Sequence, residues 1–536
     1  MRTGLLLILF AVTINIFSQE YFNTRFYFDG PTMPEGALNA LEIDDGYIIT
    51  GNTDWWNKMS MAKISLEGEV IWTKNWGELE SEWWNSRYNS FISHFNSYYT
   101  IGSKNTWYNS IRHVETLLTK YDNNFDTVWT SVYGKKQSPY DSSFITRSFT
   151  GIENGFAVTG TLEIYYEKNG MPNSILNSFD TRSSNNTLSV NGEFYEHEPF
   201  LLKMDSLGNV LWEQNFPNSS FHRQSNSIIQ TSDGGYALGG YRWVYLNEKG
   251  DPIVIKTDSL GNKEWELSLG GPYQDGTAIV CNSQDGNIVV ASHYDVDSLF
   301  FGKYMSRIQL TKIDLSGNIL WNKLFADKAS YFSLKNVRQD SSGGYIISGA
   351  TQFGTGPNEP NGMGYILRVS AEGDSLWYRK YAVLWGQDSR NSLYDAIPTS
   401  DGGFLGAGGC SPIPPDTGNQ DAWVIKIDSM GCTSISDCWV GEPEWKWITT
   451  EEGNKIMVYP NPAQNWFTIK LNNKKSNNDK ITIEIYDLYG RKVNETEMPN
   501  GENNIRYYVS NWNRGIYFVR VKSGNIVLGS VKMVLE

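Results

Sequence analysis

Short apolar runs, bounded by Gly, Asp, Asn or Ser, recur along nearly the whole 536-residue chain. Runs of this length, rich in Val, Ile, Tyr and Trp, predict strands joined by tight turns. The clearest is IKTDSLGNKEW at 255–265. It reads as a strand, a turn at Asp258-Ser259-Leu260-Gly261, and a second strand carrying a Trp. The pattern Lys-x-Asp-x-x-Gly-x-x-x-Trp returns at 203–212 and 312–321, with degenerate copies at 63–72, 120–129 and 368–377 and a truncated one at 426–431. In such a turn the Asp side chain accepts from downstream backbone N–H groups, and Gly takes a left-handed conformation at little cost.

A second element precedes each of these: a Gly-containing turn, then a short apolar strand ending in Gly or Ser. Its copies lie at 45–51, 97–102, 154–160, 233–240, 285–292, 342–349 and 401–408. The basic anchors of the first element, at 63, 120, 203, 256, 312, 368 and 426, are spaced by 57, 83, 53, 56, 56 and 58 residues. The long interval holds an Asn/Ser-rich insertion, about 161–198, read as a loop because neither signature occurs in it.

Each unit holds four strands; in the fourth they fall at 227–231, 236–241, 253–257 and 263–269. A four-stranded sheet with two apolar faces cannot bury both alone, so seven such units predict an all-β, seven-bladed β-propeller over 19–438. The seventh unit lacks a Trp-bearing fourth strand. The segment EYFNTRFYFDG at 20–30 has that character, and we expect it to complete the seventh blade.

In such a meander the connections between strands two and three, and between blades, share one end. These connections vary in length and carry the candidate ligand-binding aromatics: Trp55, Trp56, Trp83, Trp84, Trp107, Tyr108, Trp243, Tyr245 and Trp385. Variable loops with rings on a rigid scaffold predict a binding face, for a glycan or a protein ligand.

Composition narrows the class. Aromatics are 14% and the net charge is −14, which suits a turn-rich β protein and argues against nucleic acid as a partner. Residues 1–17 form the only long apolar run, led by Arg2 and followed by Ser18; it reads as a secretory signal peptide, 1–18, leaving no transmembrane segment after cleavage. Four Cys without CxxC or Cys/His clustering predict no structural zinc, and no cofactor is expected. Cys432 and Cys438 are close enough to form a disulfide. Asp122, Asp205, Asp258, Asp314 and Asp428 read as turn formers, not calcium ligands, and Asp295-Val296-Asp297 is the better cation candidate. The five His are scattered, and no catalytic residue is assigned. Glu78, Glu80 and Glu82, beside Trp83 and Trp84, are read as a solvated loop, although a distant carboxylate pair for glycoside hydrolysis remains open.

After a linker at 439–454, the segment 455–536 alternates again in strands and predicts a small β-sandwich. Its segments YPNPAQNWFTIKL, ITIEIYDLYGRKV and RGIYFVRVKSGN resemble the type A sorting domain of the type IX secretion system of Bacteroidetes. Tyr459, Pro460, Asn461 and Pro462 match its opening motif, Asp487, Gly490 and Arg491 the middle one, and Gly515, Tyr517 and Lys532 the last. The resemblance implies Sec and type IX secretion machinery as partners and a released or surface-attached product of a Gram-negative bacterium. The repeats resemble secreted bacterial propellers with DGGY and KxDxxGxxxW motifs; their likeness to the Asp-box of sialidase propellers implies fold and not catalysis. The expected function is a secreted or cell-surface, non-catalytic binding protein. The alternative is a secreted carbohydrate-active hydrolase or lyase on the same scaffold.

Overall fold

A computed structural model describes the strands and tight turns within residues 21–434 and 448–535. Residues 1–20, 167–193 and 435–447 lie outside the description, as do short loop segments including 54–56, 78–80, 245–248, 353–359 and 412–419. The chain divides into two compact units, Met1–Gly431 and Cys432–Glu536.

The first unit is a seven-bladed propeller. Its antiparallel sheets span 36–76, 82–133, 140–215, 222–268, 279–325, 331–381 and 390–427, and each follows chain order from first to last strand. The first strands of successive blades touch one another in cyclic order, so the ring is closed. Its core is nearly continuous, with Ile48, Val158, Leu238, Val290, Ile347 and Val424 buried.

Closure depends on the N-terminal strand. Phe22–Phe26 pairs antiparallel with the last repeat strand, Asp421–Ile427, placing Phe22 opposite Lys426. In the other six blades that register position holds Trp72, Trp129, Trp212, Trp265, Trp321 and Trp377, opposite Lys63, Lys120, Lys203, Lys256, Lys312 and Arg368. Phe22 therefore supplies the seventh outer ring, in the blade whose own sequence lacks it. Asn23 adds a side-chain bond, accepting from Trp423 Nε1 at 2.7 Å.

The outer rings lie on the turn of the next blade, Asp-x-x-Gly in blades 3, 4, 5 and 7 and Ser-x-x-Gly in blades 1 and 6. Trp212 covers Gly261, where a Cβ would fall 2.8 Å from the indole and where φ is 84°. Both the close approach and the left-handed backbone select Gly there. Trp129, Trp265, Trp321 and Trp377 sit likewise on Gly208, Gly317, Gly373 and Gly431, and Phe22 sits on Gly68. Blade 2 departs from the rule: Phe125 occupies the Gly position at φ 60°, with its ring 5.8 Å from Trp72. The ring contact there replaces the Gly–indole contact.

The two sequence motifs are joined by ion pairs that the repeat pattern does not reveal. Lys63, Lys256, Lys312 and Lys426 reach Asp45, Asp233, Asp285 and Asp401 at 2.7, 2.8, 2.6 and 2.7 Å, and Arg368 reaches Asp340 at 3.0 Å. The fully buried Lys256 also binds Glu264 at 2.8 Å, so its charge is met on both sides.

The insertion is narrower than the sequence suggests. Gly155–Tyr166 and Phe194–Asp205 pair without interruption from Gly155↔Asp205 to Tyr166↔Phe194, which makes a long hairpin arm of residues read as loop. The backbone ladder continues past the point where the repeat ends.

The second unit is a β-sandwich. One sheet holds Ile448–Thr449, Lys455–Tyr459, Trp466–Leu471 and Asn504–Tyr508; the other holds Lys492–Glu497, Ile481–Asp487, Gly515–Ser523 and Ile526–Leu535. Ile456, Phe467, Ile469, Ile483, Ile485 and Val519 meet in its core. Ile448–Thr449 falls in the stretch read as linker and instead pairs with the sandwich.

Replacing Phe22 by Ala leaves a hole over Gly68 and should lower unfolding free energy by about 3–4 kcal/mol in guanidinium titrations. Deleting residues 21–26 should lower the melting temperature further. An unchanged midpoint in either variant would contradict the closure.

Candidate functional site

The structure redistributes the candidate aromatics. Trp83 and Trp84 lie in a strand, Glu82–Asn85, and not in a loop. Trp107 and Tyr108 end the strand Ser97–Tyr108, and Trp243 lies within Tyr236–Val244, because these hairpins run longer than the repeat motif implies. Trp83 and Trp243 are half-buried; Lys104 Nζ stands 5.4 Å from the Trp83 ring. Among the described candidates Trp385 is exposed, at 61%. Trp55, Trp56 and Tyr245, with Glu78 and Glu80, lie outside the described residues.

One grouping does form. A cleft of 380 Å³ opens between blades 2 and 3 at the variable-loop end, lined by Glu82, Trp84, Asn85, Arg87, Arg147 and Glu163 among others. Strand alternation turns Trp84 to the opposite face from Trp83. Glu82 accepts from Asn105 Nδ2 at 2.6 Å, and Glu163 lies 3.4 Å from His197 Nε2. His197 in turn meets His222 edge to face at 5.1 Å, and burial with the neighbouring His197 pushes the His222 imidazole down to about 3. Sequence reading found Glu82 and Trp84 but missed Glu163, Arg87, Arg147 and the His pair. Those residues come from different blades and share no spacing.

The cleft adjoins the propeller axis. Five first strands carry a bulge at matching positions, leaving Leu38, Arg147, Asn226, Lys335 and Tyr394 out of the ladder. In blade 2 the first strand breaks between Glu82–Asn85 and Phe91–His94, and residues 86–90 cross the axis. Asn39 donates to Ser90 Oγ at 2.7 Å, Ser86 Oγ donates to the Thr146 carbonyl at 2.7 Å, and Asn336 of blade 6 donates to Asn89 at 3.2 Å. Tyr88 packs on the core shared by blades 5 and 6. This crossing holds Arg87 at the junction of cleft and axis.

The repeated Asp residues act as turn formers. Asp258 Oδ1 accepts from Leu260 N and Asn262 N at 2.9 and 2.8 Å, and Asp205 and Asp314 repeat the arrangement. Asp295, the better cation candidate, is buried beside Asp275, whose Oδ1 accepts from the Asp295 backbone N–H at 2.7 Å. His293 Nε2 lies 3.9 Å from Asp295, with Lys335 beyond it. Burial, then the Asp275 charge, raises the Asp295 carboxyl from 3.8 to about 8. Among the described residues no group of three or more His, Cys, Asp or Glu is placed to hold a metal.

Cys432 is disulfide-bonded, while its expected partner Cys438 lies outside the described residues; Cys281 and Cys410 are free and buried. In the sorting motifs, Arg491 Nε binds Asp487 at 2.7 Å across a hairpin turn, and Tyr517 donates to the Asn513 carbonyl at 2.6 Å. Gly515 has φ 145°. Tyr459 and Lys532 lie in strands, and Pro460, Asn461, Pro462 and Gly490 fall outside the described residues.

The folded state binds a proton at Asp295 that the unfolded chain releases near pH 3.8, so stability should fall as pH rises from about 4 to about 8. Asp295→Asn should flatten that part of the melting-temperature profile and raise the value near pH 8. An unaltered profile would refute the assignment.

Residues 457–536 match the secretion system C-terminal sorting domain, which is the module the sequence motifs indicate. No curated protein matches the chain in sequence. Solved structures that this chain matches include an α-L-arabinofuranosidase of Fusarium graminearum (10% identity, 76% of this chain and 98% of that one, TM-score 0.38). A glycoside hydrolase family 32 protein of Bifidobacterium adolescentis shows 7% identity over 77% of this chain and 78% of its own, at TM-score 0.27. The extracellular domain of a one-component system of B. thetaiotaomicron shows 11% identity over 93% and 92%, at TM-score 0.17. Likenesses this distant say nothing of substrate. Among the described residues no helix is long and apolar enough to cross a membrane. The chain is thus a β-propeller repeat protein with a C-terminal type IX sorting domain, secreted or displayed at the cell surface.

Proposed function

We propose that the propeller is a binding module that takes a saccharide in the cleft between blades 2 and 3. The observation that carries this reading is the lining: Trp84 beside Glu82, Glu163, Arg87 and Arg147 in 380 Å³. An indole offers a flat apolar face for the C–H side of a sugar ring. Carboxylates and guanidiniums fix the hydroxyl groups as acceptors and donors. A cleft of this size admits a small ligand and not a protein surface. Export fits the role, since a secreted module meets extracellular glycans.

A second reading is favoured by one feature of the same cleft. Glu82 and Glu163 both line it, and Glu163 is held by His197, so a carboxylate pair for glycoside hydrolysis would stand here. The two readings part on substitution. For a binding module, glycan-array screening of the full chain should give hits that Trp84→Ala weakens by about tenfold or more. Glu82→Gln and Glu163→Gln should then retain part of that binding, with no reducing sugar released by any form. Release of reducing ends by the wild type, abolished in either Gln variant, would establish the hydrolase instead. An array without hits would defeat the saccharide reading.

The sorting domain makes a separate prediction. A chain lacking residues 457–536 should accumulate in the periplasm, as fractionation and immunoblotting would detect. Normal appearance of that truncation in the medium or on the cell surface would contradict export through this domain.

A further inference from the structure

Lys335 is the bulge residue of the first strand of blade 6 and stands half-buried at the axis. Its ammonium faces the Tyr394 ring at 5.5 Å, and among the described residues no carboxylate lies within ion-pair distance of it. The nearby Asp395 is committed elsewhere. Its oxygens accept from Arg338 at 2.8 and 2.7 Å, from Asn336 at 2.7 Å and from the Ala40 backbone N–H at 3.2 Å. A second cation belongs to the crossing segment: Arg87, two residues before the Asn89 that Asn336 holds, acts electrostatically on both Lys335 and Tyr394. Burial, then Arg87, holds the Lys335 ammonium down to about 8.

Two like charges in a poorly solvated place repel, and an ammonium taken from water costs free energy unless an opposite charge joins it. Elsewhere in this fold buried Lys256 and Lys426 each have an Asp. At Lys335 no such carboxylate stands among the described residues, while the Tyr394 ring lies beside it and the Tyr394 hydroxyl meets Gln420. We propose that Lys335, Arg87 and Tyr394 form an oxyanion site at the propeller axis, which receives the carboxylate or sulfate of an acidic sugar whose ring lies in the adjoining cleft. Arg87 belongs to both places and connects them. The inference rests on the saccharide reading for the ligand's ring, but not for its anionic group.

The test uses the full chain at constant ionic strength. Inorganic sulfate, D-glucuronate, D-glucose 6-sulfate and D-glucose are compared by thermal shift and calorimetry, with wild type and Lys335→Met. The wild type should melt higher in sulfate than in chloride and bind at least one acidic sugar about tenfold or more tighter than glucose. Glucuronate and the sulfate ester separate carboxylate from sulfate as the preferred group. Lys335→Met should melt no lower than the wild type without anion, because the repulsion is relieved, and should lose both the sulfate shift and the acid preference. Equal responses of the two proteins to sulfate would overturn the proposal, as would measurable but equal binding of glucose and both acidic sugars by the wild type. If array hits are neutral glycans and sulfate has no selective effect, the saccharide reading stands and the axial site falls. If sulfate acts selectively while no sugar binds, the axial site stands without the saccharide.

Discussion

A ring of sheets is stable only if every blade meets a neighbour on both faces, and here that constraint acts through one repeated contact. In six of the seven blades the turn is a glycine under the outer ring of the preceding blade, as Gly261 under Trp212 and Gly373 under Trp321, and in blade 2 Phe125 meets the ring of Trp72 instead. Each contact buries an indole worth roughly 2–4 kcal/mol. A linear array would leave the last turn uncovered and the first sheet face wet. The N-terminal strand resolves both by bringing Phe22 to the position that the seventh repeat leaves empty. The chain's two ends of the repeat are thus tied by side-chain packing and a five-residue ladder.

Once the ring is closed, its axis becomes the place where charge is costly. First strands converge there, and their bulges turn Arg147, Lys335 and Tyr394 out of the ladder. Blade 2 breaks its own first strand to send residues 86–90 across, held by Asn39, Thr146 and Asn336. The rigid frame fixes these groups, so a ligand would meet a preorganised set of donors and not a mobile loop. Buried Lys256 and Lys426, in contrast to Lys335, are each met by a carboxylate.

Much of the scaffold was legible because it repeats. The Asp-x-x-Gly turn reports its own geometry, and Asp258 accepts the backbone donors that the motif predicts. The missing Trp in the seventh unit pointed to the N-terminal segment. The strand lengths were less legible. Trp107, Tyr108 and Trp243 sit in hairpins that outrun the motif, since cross-strand pairing and not local pattern decides where a ladder stops. Of the cleft, Glu82 and Trp84 were visible as a local cluster, whereas Glu163, Arg147 and Arg87 were invisible because nothing in sequence links them.

By itself, the sequence determined the all-β class, the number of blades, the turn chemistry, the closing strand and the sorting module, all of which rest on local patterns or on counting them. Only the tertiary structure decided which residues share the cleft and the axis. Blades 2, 3, 6 and 7 meet there through bulges and a broken strand, features set by how sheets pack around a ring. The same reason explains the Lys–Asp pairs: both partners were in the motifs, but only the register between adjacent strands shows that they touch.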